Sequence, residues 1–189
     1  MDLDAAARAG VPAPLPRTAN GGPVPAHSVR RARTADVRSI ARLVSGYVGE
    51  GILLGKQPVT FYEDVQEFQV AEAGEDVIGC GALHVMWEDL AEVRSLAVER
   101  AWRRRGVGHT LLQALLEQAR ELGARRVFCL TFETEFFSRH GFRSIEGTPV
   151  DTGVYAELLR SADEGVAEFL DLARVKPNTL GNTRMLREL

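Results

Sequence analysis

Hydrophobic residues recur along this chain at two spacings, one typical of helices and one typical of strands. The helical spacing is clearest from His109 to Leu122, where apolar residues fall on one stripe, and Gly123 then suits a left-handed C-terminal cap. Directly before it, Glu92 to Val98 is short and rich in Val, Leu and Ala, as in a strand covered on both faces. These patterns predict a buried strand, a turn and an amphipathic helix in succession.

Shorter patterns of the same two kinds occupy the rest of the chain. Further strands are predicted at residues 29–32, 69–73, 77–86, 126–131 and 183–189, with another after Phe142. Further helices are predicted after Thr34, after a T-x-x-E capping box at Thr60, and at residues 133–139, 152–159 and 166–170. The order of these elements predicts an α+β fold around a mixed sheet.

Length and composition predict one domain with a tail. Of the 189 residues, 45% are hydrophobic and 26% are charged, which is typical of globular proteins. Residues 1–27 are rich in Ala, Pro and Gly and are predicted to form a disordered tail, leaving residues 28–189 as the domain.

Bulk properties also limit the partners and the compartment. A formal charge of −3 gives no general reason to expect nucleic-acid binding. No apolar run approaches the ~20 residues of a membrane span, and the first residues lack the features of a signal peptide. Cys80 and Cys129 lie in apolar strand patterns and are predicted to be reduced core residues. The expected compartment is the cytoplasm.

The turn before the long helix is dense in arginine and glycine, with R-R-R-G-V-G at residues 103–108. Glycines allow a ligand to approach the backbone, and a helix N-terminus presents free N–H groups, so the turn suits a pyrophosphate. It is not a dinucleotide fingerprint, because Leu111 stands where the third glycine is needed, and it lacks the Lys-Ser/Thr pair of a P-loop. The alternative is a solvated turn.

The form R-x-x-G-x-G after a strand resembles the coenzyme A loop of the GCN5-related N-acetyltransferases (GNAT). The resemblance implies a GNAT fold, in which a mixed central sheet is flanked by helices and the two central strands splay apart around pantetheine. It implies acetyl-CoA as cosubstrate and no metal. Coenzyme contacts are expected from Leu96, Ala97, Val98, Arg103, Arg104, Arg105, Gly106, Val107, Gly108, His109 and Phe137.

Direct acetyl transfer to an amine needs a base and an acid for the leaving thiolate. Glu92 is the candidate base, and the alternative is a glutamate that faces solvent or pairs with Arg94. Many GNAT enzymes use a tyrosine as the acid, but Phe137 occupies its place and cannot donate a proton. Thr131 is a weak candidate for the acid, and water is the other source.

Several stretches resemble the acetyltransferase domain of N-acetylglutamate synthases, in the short single-domain form found in actinobacteria. They are I-L-L-G-K at residues 52–56, E-F-Q-V at 67–70, G-C-G-A-L at 79–83, E-V at 92–93, L-A-V at 96–98, F at 137, G-F at 141–142 and N-T-R-M-L at 182–186. This resemblance implies transfer to the α-amino group of L-glutamate, the first step of arginine biosynthesis. Lys56, Arg94 and Arg184 are the cations expected to bind the two carboxylates, although the family often has a small residue at position 94. A homodimer is common in the family.

Other functions stay open from the sequence. Glutamine or another amino acid needs the same clamp on its α-carboxylate, whereas a polyamine, drug or protein N-terminus predicts an acidic or open groove. A module that senses acetyl-CoA without catalysis would keep the phosphate loop and lack a working base. A Cys–His hydrolase is disfavoured because Cys129 lies mid-strand, and the four histidines show no metal-ligand spacing.

Overall fold

The sheet at the centre of the molecule is seen in a computed structural model that describes residues 26–170 and 181–189. Seven strands lie in the order β1-β2-β3-β4-β5-β7-β6. They are β1 (Ser28–Arg31), β2 (Phe68–Ala73), β3 (Asp76–Trp87), β4 (Leu90–Val98), β5 (Arg126–Thr131), β6 (Arg143–Ser144) and β7 (Thr183–Glu188). Neighbouring strands are antiparallel except β4 and β5, which are parallel. The predicted mixed sheet is confirmed.

Helices cover both faces of the sheet. They are α1 (Val37–Val48), α2 (Pro58–Glu63), α3 (Val107–Glu121), α4 (Thr134–Arg139), α5 (Thr152–Leu158) and α6 (Glu164–Phe169). On one face, α3 and α4 share a hydrophobic cluster with β4 and β5. On the opposite face, α1 and α2 form one cluster over β2 and β3, while α5 and α6 form another over Leu90 and Phe128. The second face therefore carries two separate apolar clusters.

The helix starts differ from their sequence predictions. Thr34 does not cap α1, because a 3₁₀ turn begins there and Asp36 Oδ2 accepts the backbone N–H of Arg33 at 2.7 Å. The capping box at Thr60 is wrong, because α2 already begins at Pro58, a residue suited to the first helical position. The start of α2 is therefore set by Pro58 and not by Thr60.

The sequence predicts an N-terminal tail and no membrane-spanning helix. The predicted tail at residues 1–27 lies outside the described residues except for its last two positions, and β1 begins directly afterwards at Ser28. In residues 26–170 and 181–189, no helix combines the length and the apolar character that a membrane crossing requires.

Strands β4 and β5 separate along their length. Register pairs join Leu90 with Arg126 at the start and Glu92 with Phe128 at the end, and no later pair of these two strands exists in the described residues. Because paired parallel strands form hydrogen bonds along their whole contact, the end of the register marks a gap between them. The splay of the two central strands is confirmed.

A bulge in β4 changes which side chains face each layer. Ser95 has a φ of 55°, and the register with β3 shifts around it. Before the bulge, Glu92 and Arg94 alternate with residues of the α3 cluster and so face the opposite layer. After the bulge, Leu96 and Val98 pack on the α3 side. The bulge therefore reverses the alternation of side chains within one strand.

Two glycines of β3, Gly79 and Gly81, lie directly against α3. A Cβ atom on Gly81 would lie 2.9 Å from Cδ1 of Leu115 and 2.9 Å from Cδ1 of Leu96. Leu115 is fully buried, so its side chain has little room to move.

We expect Gly81→Ala to lower the free energy of unfolding by about 1–3 kcal/mol, because the added methyl group overpacks this contact. Urea unfolding measures the change. Gly46→Ala is the matched control, because a Cβ there meets nothing within 4 Å and the residue lies inside helix α1. It should be neutral or stabilising by about 0.5–1 kcal/mol. Equal stability of the Gly81→Ala variant and the wild type would contradict the tight packing of α3 on β3.

Candidate active site

Glu92 is a buried carboxylate in the middle of the sheet. Its side chain is only about 5% exposed, and it lies at the last register pair between β4 and β5. Burial raises the pKa of Glu92, while the nearby charges of Arg94 and His84 lower it. A carboxylate with a raised pKa at the closed end of a gap between strands is a better proton acceptor than an exposed one.

Arg94 lies two residues further along β4, on the same face as Glu92. Its Nε lies 3.2 Å from Oε2 of Glu92, and its Nη1 donates to both carboxylate oxygens of Asp163 at 3.0 and 3.2 Å. The alternative pairing of Glu92 with Arg94 is therefore present as a charge contact. It does not exclude a role as base, because Glu92 Oε2 makes no hydrogen bond to any described residue.

Two further charged pairs lie on this side of the sheet. His84 is the register partner of Glu92 on β3, and its Nδ1 lies 2.6 Å from Oε1 of Glu67. Lys56 Nζ donates to Oδ2 of Asp64 at 2.8 Å, and its charge lowers the pKa of Glu92. Lys56, predicted as a substrate cation, therefore lies within electrostatic range of the candidate base.

Arg184 links β7 to the C-terminal helices. Its guanidinium donates to the backbone carbonyls of Gly147, at 3.1 Å, and of Phe169. It also lies over the rings of Phe128 and Phe169, 5.2 and 5.8 Å from their centroids. These contacts hold α6 against the sheet, and binding of a substrate carboxylate by Arg184 stays a prediction.

Glu168 adds a second carboxyl group with a perturbed pKa. It lies on α6, and burial together with the charge of Glu92 raises its pKa to about 7, against the charges of Arg184 and Arg94. Two carboxyl groups that disfavour each other's ionisation are thus placed on the same side of the sheet.

The arginine–glycine turn forms the entry to α3. Arg104 and Gly106 have φ angles of 61° and 86°, and Gly106 is the N-cap of the helix. Arg103, Arg104 and Arg105 are exposed; Arg103 pairs with Glu133 at 3.3 Å, and Arg105 lies over the ring of Trp102. The first N–H groups of a helix lack intrahelical partners, so this turn combines free donors with positive charge.

Aromatic rings border the same turn. Phe136 is half-buried and lies against Gly108, 3.6 Å from the position of a Cβ there, whereas Phe137 is buried in the core against Phe142. His109 Nδ1 lies 3.3 Å from Nε2 of His140, beside Phe136. A coenzyme contact by Phe137 stays a prediction, and Phe136 is the ring that the structure places nearer to the turn.

The remaining predicted residues lie along the gap between β4 and β5. Leu96 and Val98 face α3, Ala97 faces α1, and the carbonyl of Val98 accepts the hydroxyl of Tyr47 at 2.6 Å. Thr131 ends β5, where its Oγ1 accepts the backbone N–H of Glu133 at 2.9 Å. Their roles as pantetheine ligands and as proton donor stay predictions.

Sequence reasoning missed four of the ionisable groups near Glu92: Glu67, His84, Asp163 and Glu168. The position of His84 depends on the register between β3 and β4, which no local pattern specifies. Asp163 carried a readable signal, because its carboxylate caps α6 by accepting the N–H of Val166 at 2.8 Å. That signal indicates a helix start and says nothing about Arg94.

The cysteines behave as predicted, since both are free and buried. Burial raises the pKa of the Cys80 thiol to about 12 and that of Cys129 well above its ordinary value. A thiol of this kind is a poor nucleophile, which counts against the hydrolase alternative. In the described part of the chain, no cluster of three or more His, Cys, Asp or Glu side chains is arranged to hold a metal ion.

Comparison with known proteins identifies relatives of this arrangement. The acetyltransferase (GNAT) family model matches residues 49–142. An amino-acid acetyltransferase of Mycobacterium tuberculosis is 60% identical over 161 residues, which cover 84% of this chain and 92% of that protein.

Solved structures give the same result. A protein of M. tuberculosis in complex with CoA and a second ligand, NLQ, has a TM-score of 0.82 and 59% identity, covering 86% of this chain and 99% of that one. An N-acetylglutamate synthase of Neisseria gonorrhoeae in complex with coenzyme A and N-acetyl-glutamate has a TM-score of 0.69 and 25% identity. That match covers 87% of this chain and 35% of the longer synthase.

We expect Glu168→Gln to stabilise the protein relative to the wild type more at pH 8 than at pH 5. A carboxyl whose pKa is raised on folding contributes stability below its unfolded pKa and loses it as the pH rises through its folded pKa of about 7. Glutamine keeps the neutral form at both pH values, so the difference in unfolding free energy should grow with pH. Urea unfolding at the two pH values measures it, with Glu157→Gln on α5 as a control for loss of a more exposed carboxylate. A difference that is independent of pH would contradict the burial of Glu168.

Proposed function

Since the chain belongs to the GNAT family of acetyltransferases, we propose that it transfers the acetyl group of acetyl-CoA to the α-amino group of an amino acid, with L-glutamate as the acceptor. One observation carries this proposal: the buried carboxylate of Glu92 lies next to the buried guanidinium of Arg94 where β4 leaves β5. In this proposal Glu92 is the base and Arg94 is the cation that binds a carboxylate of the acceptor.

The gap and the turn before α3 fit an acyl-CoA. The register of β4 with β5 ends at Glu92, and the following residues, Leu96 to Val98, lead directly to the arginine–glycine turn. A pantetheine arm along this edge would carry its pyrophosphate to the N-terminus of α3, where N–H groups and arginines favour negative charge. The solved relatives that bind CoA support the same use of the fold.

The acceptor side of the gap carries the cations that an acidic amino acid requires. Arg94 is buried beside the base, and Lys56 is only 16% exposed and close enough to influence Glu92. Arg184 is the third candidate, through its position on β7 beside Phe128. Glutamate as acceptor is further supported by the gonococcal synthase that binds N-acetyl-glutamate, and an amino acid as acceptor by the M. tuberculosis amino-acid acetyltransferase.

Glu92 acts as the general base in this proposal. Acetyl-CoA supplies the thioester, and the amine must lose a proton before or during its attack on that carbonyl. Glu92 Oε2 makes no hydrogen bond within the described residues and accepts this proton directly or through one water. The raised pKa makes Glu92 a stronger base than an exposed glutamate.

The thiolate that leaves must finally gain a proton. Thr131 Oγ1 is buried at the end of β5 and already accepts a backbone hydrogen bond, so its own proton is free to point elsewhere. Water is the other donor, because Phe137 has no proton to give. With glutamate as acceptor the product is N-acetylglutamate, and the reaction is the first step of arginine biosynthesis. A cytoplasmic location belongs to the same proposal.

Thiol release from acetyl-CoA, measured with each amino acid and several polyamines as acceptor, tests the function. We expect the largest kcat/KM with L-glutamate. A larger value with glutamine would keep the mechanism and change the acceptor, whereas release with polyamines alone would contradict an amino-acid substrate. Tight binding of acetyl-CoA without release for any acceptor would favour a sensing module.

Glu92→Gln should lower kcat by about a hundredfold or more, because general-base catalysis contributes roughly this much. Binding of acetyl-CoA, measured by calorimetry, should be unchanged. Glu88→Gln, which removes an exposed carboxylate in the turn before β4, is the control and should leave kcat unaltered. Unchanged turnover in the Glu92→Gln variant would remove Glu92 from the mechanism.

A further inference from the structure

The guanidinium of Arg94 is hydrogen-bonded on one side, and its other edge makes no hydrogen bond to a described residue. Its side chain is 10% exposed, and its Nη1 makes both hydrogen bonds to Asp163. Nε and Nη2 are buried and make no hydrogen bond to any described residue. Buried donors without partners are costly, so this edge of the guanidinium is the part of the side chain that a ligand would satisfy.

The unpaired edge of the guanidinium has the geometry of a carboxylate site. The N–H bond of Nε and one N–H bond of Nη2 point in the same direction within the plane of the guanidinium. Two parallel donors of this kind match the two oxygens of a carboxylate. Asp163 holds Nη1 in place. Without this contact, the side chain of Arg94 would be free to rotate and to point its other N–H groups at Glu92.

Asp163 is itself held in place. Its Oδ1 accepts the N–H of Val166 at 2.8 Å as the N-cap of α6, and its own N–H donates to Oγ of Ser161 at 3.2 Å. The next residue but one is Gly165, where a Cβ would lie 3.1 Å from Nη1 of Arg94. The first turn of α6 thus approaches the guanidinium closely and fixes the carboxylate that binds it.

We propose that Asp163 is a positioning residue that turns the Nε–Nη2 edge of Arg94 toward the α-carboxylate of the acceptor and prevents Arg94 from closing on Glu92. This inference rests on the proposed function. The choice of the α-carboxylate follows from the 3.2 Å between Arg94 Nε and Glu92 Oε2. Glu92 and Arg94 are adjacent, and the α-amino and α-carboxylate groups of an amino acid are likewise adjacent because they share the Cα atom. The acceptor can therefore place its amine at Glu92 and its α-carboxylate at Arg94.

Asp163 also influences the base through its charge. The groups that act on Glu92 are His84 on β3, Arg94 on β4, Lys56 before α2 and Asp163 before α6, and Glu92 in turn raises the pKa of Glu168 on α6. Burial raises the pKa of Glu92 most, Arg94, His84 and Lys56 lower it, and Asp163 raises it. Loss of the Asp163 charge should therefore lower the pKa of Glu92, and the acid limb of kcat/KM should move to lower pH.

Asp163→Asn and Asp163→Ser test the proposal, because both keep an oxygen that can cap α6. We expect the KM for the acceptor to rise about tenfold or more, with little change in the KM for acetyl-CoA, because the guanidinium of Arg94 loses its charged partner. The rise should be similar for glutamate and glutamine, since they share the α-carboxylate. Asp151→Asn is the matched control, because Asp151 caps α5 by accepting the N–H of Val154 at 2.9 Å and is exposed.

Two kinetic results would overturn the proposal. One is an acceptor KM and an acid limb equal to those of the wild type in both Asp163 variants; a lower melting temperature beside them would reduce Asp163 to a helix cap. The other is a rise in KM for glutamate but not for glutamine, which would place the side-chain carboxylate on Arg94.

Calorimetric binding of L-glutamate and L-glutamine to the CoA-bound protein separates this inference from the proposed function. Weaker binding to the Asp163 variants would support the clamp even if the wild type released no thiol. The lack of thiol release would then count against the proposed transferase function and not against the clamp. Equal binding of both amino acids to the variants and the wild type would overturn the clamp whether or not turnover occurs.

Discussion

The end of hydrogen bonding between β4 and β5 is the constraint on which the site depends. Three register pairs hold these parallel strands together, and the last of them contains Glu92. Beyond it, both strands remain anchored on their outer sides, β4 by β3 and β5 by β7. The gap is therefore kept open by the rest of the sheet, and the candidate base lies at its closed end.

Burial of charge on one face of the sheet follows from this architecture. The two apolar clusters formed by α1 and α2 and by α5 and α6 leave room between them for His84, Glu92 and Arg94. Glu92 and Arg94 each have a neighbour of opposite sign, which limits the cost of burying them. Arg94 lies on β4 beside Glu92, whereas Asp163 is the residue before α6, so the electrostatics of the site depends on elements far apart in the chain.

The sequence predicted the fold and the strand, turn and helix around residues 92–122 better than the charged groups that surround Glu92. The strand at Glu92, the arginine–glycine turn and the helix after it are contiguous, so local periodicity and glycine placement were sufficient to find them. The capping box at Thr60 was wrong because Pro58 starts α2 earlier. His84 and Asp163 were missed because strand register and the docking of α6 bring them to Glu92 and Arg94. Long-range placement of this kind leaves no local pattern to read.

The bulge at Ser95 divides β4 into two segments with different tasks. The segment before it presents Glu92 and Arg94 to the layer that contains α6, and the segment after it presents Leu96 and Val98 to α3. Because the side-chain alternation is reset between them, a substitution in one segment does not change the facing of the other. With Glu92 and Arg94 assigned to the acceptor and Leu96 to Val98 to the coenzyme, as proposed above, the two functions occupy separate halves of one strand, and a change of acceptor specificity would be sought in the first half.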